Sequence, residues 1–125
     1  MRRTLLFLAL VAALAIPAAA YAKGPAKAAK TPVTLTGEIV DTGCFLDHGA
    51  RGEKHKACAT KCLTGGMPAS LLTDKGELYL LLLDQTKPEA LSAAKDLAAE
   101  KVEATGTVIK SHGMLALNIT SVKKL

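Results

Sequence analysis

Residues 33–41 alternate in character: Val33, Leu35, Gly37 and Ile39 fall on one face, Thr34, Thr36 and Glu38 on the other. That two-residue period predicts a half-buried strand. Gly37 inside it predicts a bulge or a sharp bend, and Val40, which breaks the alternation, agrees. A short strand is expected over residues 69–73, followed by the Asp74-Lys75-Gly76 hairpin turn. Residues 77–83, Glu-Leu-Tyr-Leu-Leu-Leu-Leu, are apolar on both faces and predict a central strand covered on both sides. Residues 88–99 switch to helical spacing, with Leu91, Ala94, Leu97 and Ala98 on one face, Pro88 in the first turn and Glu89 beside it. Alternation returns at 101–110 through Val102, Ala104, Gly106 and Val108. Ser111-His112-Gly113 makes a tight turn, and the last strand, 114–122, points Leu115, Leu117 and Ile119 inward. The stretch 53–63 predicts about three helical turns, stopped by Gly65-Gly66.

The predicted order is strand, long connection with a helical segment, strand, strand, helix, strand, strand. Five strands this short expose edges unless the sheet closes, so a mainly β, five-stranded barrel is expected. One helix lies between strands 3 and 4, and a Cys/His helical loop lies between strands 1 and 2. This order resembles the OB-fold, and the resemblance spans Val33 to Leu125.

Ahead of the fold, Arg2 and Arg3 precede an apolar run from Thr4 to Ile16, 13 residues long. It is too short to span a bilayer. Pro17 breaks it, and Ala20-Tyr21-Ala22 supplies the small residues of a cleavage site. Residues 1–22 therefore read as a signal peptide, with an uncleaved anchor helix as the alternative, and the mature chain starts a periplasmic or secreted protein with no transmembrane segment. Residues 23–32, rich in Lys, Ala and Pro, form a flexible leader, and 33–125 form the OB-like domain. The formal charge of +5 comes entirely from Arg2, Arg3, Lys23, Lys27 and Lys30. From Val33 onward, 11 Lys and Arg balance 11 Asp and Glu.

All three cysteines lie within one stretch, Cys44, Cys58 and Cys62, with His48 and His55 between them. Export implies an oxidising compartment, where cysteines pair, but three leaves one over. On a helix, Cys58 and Cys62 differ by about 40° in direction and about 6 Å in rise, so their sulfurs can converge on one ion. Cys44 can close over them as a third thiolate, and a histidine completes a common zinc set. His55 is the first choice for that ligand because His-x-x-Cys is a tight local unit. It reaches the ion only if the helix starts after it, since it otherwise stands about 10 Å of rise from Cys62. His48, in the loop after Cys44, is the alternative fourth ligand. Zinc is the first expectation and Cu+ the second, because thiolates and imidazole serve both.

The pattern Gly37-Glu38-Ile39-Val40-Asp41-Thr42-Gly43-Cys44, then His55-Lys56-Ala57-Cys58-Ala59-Thr60-Lys61-Cys62, then Gly66-Met67-Pro68, resembles an uncharacterised group of small exported bacterial proteins. That resemblance implies export and a shared Cys/His site, and carries no activity with it. The Cys-x-x-x-Cys spacing with a nearby histidine also resembles the site of exported copper-delivery proteins. Those are thioredoxin-like, so only the ligand chemistry is shared.

Two other readings stand beside the metal site. A disulfide from Cys44 to Cys58 or Cys62 would close a loop of about 15–19 residues and stabilise the fold by roughly 3 kcal/mol without any metal. This would be a stapled envelope binding or interaction module. Alternatively the thiols are redox-active, with Lys54, Lys56 and Lys61 lowering their pKa values. Asp41 and Asp47 flank Cys44 and are read as strand-end and turn residues, or as carboxylates orienting a ligating histidine.

Single-stranded nucleic acid is excluded as a partner. Phe45 and Tyr79 are the only aromatics of the domain, and it has no net positive charge. No serine has a nucleophile's context, so hydrolytic or group-transfer catalysis is not expected. The partners these readings imply are an envelope protein or a metal-transfer protein.

Overall fold

The computed structural model describes residues 31–125. The signal peptide expected at residues 1–22 and residues 23–30 of the expected leader lie outside the described residues. Strand β1 (Val33–Asp41) pairs along its first half with β4 (Lys101–Ser111) and along its second half with β2 (Ala69–Thr73). Gly37 and Glu38 belong to both ladders, so β1 turns the corner of the barrel there. β2 continues into β3 (Leu78–Leu83), and β4 into β5 (Met114–Lys124). β3 and β5 pair in parallel, which closes the barrel in the order β1-β2-β3-β5-β4. The OB-like arrangement expected from the element order is present, with α1 (Thr42–His48) and α2 (Lys56–Thr64) between β1 and β2, and α3 (Glu89–Asp96) between β3 and β4.

The two interior glycines of the sheet solve a steric problem. A Cβ on Gly37 would stand 2.4 Å from the Leu72 carbonyl oxygen, and one on Gly106 would stand 2.3 Å from that of Asn118. Of the bulge or sharp bend expected at Gly37, β1 makes the bend, and the register shift lies between β4 and β5 at Thr105/Gly106. Thr120 is the extra residue, and its hydroxyl donates to the Thr105 carbonyl at 3.2 Å. Gly37 permits the close approach of β2 without interrupting either ladder.

Ile39, Leu71, Leu81, Val102, Ala104, Leu117 and Ile119 are buried in one core. Ala59 and Leu63 of α2, and Ala90, Ala94 and Ala98 in and just after α3, join the same cluster. β3 differs from expectation. Only Tyr79 and Leu81 are buried, while Leu78, Leu80 and Leu82 are half-buried and Leu83 is 50% exposed. Its outward face is only partly shielded, since α3 touches β3 but packs mainly on β5.

Candidate metal centre

Asp41, the last residue of β1, starts the site. It is completely buried, and its Oδ1 accepts the backbone N–H of Cys44 at 3.1 Å. This is an N-cap bond, and it sets off α1 directly from the strand. Thr42 then anchors the helix to β2. Its N–H donates to the Pro68 carbonyl at 3.0 Å, and its hydroxyl meets that of buried Ser70 at 2.8 Å. α1 ends at Gly49, whose N–H donates to the Phe45 carbonyl at 2.8 Å. Cys44 is thereby held rigidly beside the end of β1. The sequence pattern places no helix here. The available signal is the Asp-x-x-Cys spacing of an N-cap followed by Gly49 at the stop.

The second half of the site comes from α2. Ala59 and Leu63 sink into the core, and Cys58 and Cys62 each precede one of them. Both sulfurs therefore emerge along one flank of the buried stripe. The Met67 N–H donates to the Cys62 carbonyl at 3.0 Å and finishes the helix. Lys56, at the start of α2, pairs with Glu100 at 2.5 Å, and Lys124 pairs with the same carboxylate at 2.9 Å. That three-residue contact fixes α2 against β4 and β5.

The outcome is a cluster. The sulfurs of Cys44, Cys58 and Cys62 all lie within 4.8 Å of one another, an arrangement that could hold a metal ion. All three are free thiols. Cys44 and Cys62 are half-buried, and Cys58 is exposed.

The histidines are placed differently. The α-helix does begin after His55, as its ligation would require, with a 3-10 turn over Glu53–His55 ahead of it. Even so, the mutually close group is made of sulfurs alone. His55 and His48 instead meet each other edge to face, with ring centroids 6.2 Å apart. His48 Nδ1 lies 3.0 Å from Asp47 Oδ2 at the surface, whereas His55 Nε2 is buried without a hydrogen-bond partner.

The electrostatics disfavour free thiolates. The Cys62 thiol is pushed up to about 12, first by its contact with the Asp41 carboxylate, then by burial and by Cys58. Burial also raises the Cys44 thiol, followed by the charges of Asp41 and Cys58. The acidifying lysines of the redox reading do not act this way at these two thiols, and Lys56 is committed to Glu100 and Glu53. A bound cation would reverse the balance, because a metal competes with the proton for each sulfur.

His112 sits in the β4–β5 turn, exposed, with Nδ1 2.7 Å from the Ser111 hydroxyl. No helix among the described residues is long and apolar enough to cross a membrane. No family model and no curated protein matches the chain. What stands on the structure itself is a five-stranded mixed β-barrel carrying a three-cysteine cluster.

Proposed function

We propose that the chain is an exported metal-binding module, acting in the periplasm or as a secreted protein, in which Cys44, Cys58 and Cys62 hold one thiophilic ion. The observation that carries this reading is the convergence of three sulfurs from two helices within 4.8 Å. Tetrahedral zinc with Zn–S near 2.3 Å needs sulfurs about 3.8 Å apart, which falls within the span of the cluster. Zinc is the first candidate and Cu+ the second, since thiolate donors serve both. Three protein sulfurs leave a fourth position, and the exposed Cys58 puts the ion within reach of solvent or of a metal-transfer partner. This arrangement suits binding and delivery better than a closed structural site.

The test is a periplasmic preparation analysed for metal content and for intact mass with and without thiol alkylation. One metal per chain, with three thiols that react only after chelation, supports the reading. A metal-free chain two hydrogens light, with one alkylatable thiol, overturns it in favour of a disulfide-stapled module.

A further inference from the structure

We propose that the Asp41 carboxylate is a fourth negative group of this site and sets its preference for a divalent over a monovalent ion. This rests on the reading that the three cysteines hold a metal.

Asp41 is fully buried, yet only half of its carboxylate has a partner. Oδ1 caps α1 at Cys44, while Oδ2 is buried with no hydrogen-bond partner. Among the described residues no ion pair includes Asp41. Its place as a helix cap does not account for the charge, because serine or asparagine caps as well. Burying a charge without a partner is costly, and such groups are normally paired or turned toward a metal. Asp41 stands between the two parts of the cluster, since its carboxylate abuts the Cys62 thiol and its backbone runs into Cys44. The cation of the sulfur site would supply the partner that Oδ2 lacks.

The consequence is selectivity. Three thiolates alone suit Cu+ as well as Zn2+. A fixed negative charge beside them attracts a divalent ion twice as strongly as a monovalent one.

The experiment measures Zn2+ and Cu+ affinities of the reduced chain by competition with chromophoric chelators, for wild type, Asp41→Asn and Asp41→Ser. Both substitutions keep a capping oxygen for the Cys44 N–H, and circular dichroism verifies the fold. The expected result is a shift of the Zn2+/Cu+ affinity ratio toward Cu+ by roughly 10- to 100-fold. An unchanged ratio in a folded variant overturns the proposal. A wild-type chain that binds neither ion overturns the cysteine-metal reading instead. Infrared difference spectra of the wild type need no variant. Zn2+ loading is expected to perturb a carboxylate stretch that stays unperturbed in the apoprotein, and an unaltered carboxylate region overturns the proposal.

Discussion

Replacing Gly37 by alanine tests how tightly the strand that bears the site is gripped by its neighbours. The new Cβ would stand 2.4 Å from the Leu72 oxygen, 2.8 Å from the Leu72 carbonyl carbon and 3.0 Å from the Thr73 Cα, all of them backbone. No side chain can swing aside, so β1 and β2 must part by about 1 Å, enough to take their nearest ladder bonds out of range. Overpacking of this kind costs about 1–3 kcal/mol, and each lost ladder bond adds about 1 kcal/mol. The stiffer unfolded chain offsets about 0.4–1 kcal/mol. The net is a loss of about 2–4 kcal/mol, which lowers the melting temperature of a domain this size by roughly 10–25 °C. Urea and thermal unfolding followed by circular dichroism measure it. Gly76→Ala is the control: its Cβ meets nothing within 4 Å, and its φ of 81° leaves only left-handed strain, about 1–2 kcal/mol. A Gly37→Ala variant as stable as wild type, or less affected than Gly76→Ala, refutes the steric argument.

Free Zn2+ at about 100 times its Kd should stabilise the reduced wild type by about 2.7 kcal/mol, and Cys44→Ser should remove the effect. A melting temperature indifferent to zinc would count against ligation. In the metal-free, reduced chain, Cys62 titrates higher folded than unfolded, so its contribution to stability is complete below about pH 9 and is lost as the pH climbs toward about 12. Urea midpoints should fall across that window, and a flat profile would contradict the contact with Asp41. Glu100 titrates below the usual glutamate range because Lys56 and Lys124 bond to it, so its contribution is present above the unfolded value and disappears as pH falls. Lys56→Ala should therefore move the acid-unfolding midpoint to higher pH, and an unmoved midpoint would mean that the pair does not hold α2.

The barrel was readable from the sequence because burial on one face writes a two-residue period, as in Val33–Asp41 and Lys101–Ser111. The convergence of the cysteines was readable from the Cys58/Cys62 spacing. The departures have local causes. Helix α1 carries Gly43 and has no buried residue, so no apolar stripe announces it, and a single side chain, Asp41, starts it. β3 reads as covered on both faces because leucine occupies its outer positions, and nothing in a strand's own composition tells how much of a helix will reach over it. The partner of a histidine is equally invisible in spacing. His48 and His55 sit seven residues apart across a turn, and that turn brings their rings to 6.2 Å of one another.

The parallel pairing of β3 with β5 carries a consequence for assembly order. The barrel cannot close until the last strand docks between β3 and β4, and β1 must find β4 across some seventy intervening residues, as in the Val33–Gly106 register. Such non-local pairing belongs to folding in milliseconds to seconds. The three cysteines are near neighbours in the chain, and loops of that size close on the order of 100 ns. They encounter one another many times before the barrel exists. A metal or an oxidant present during folding would therefore meet these thiols before β5 docks.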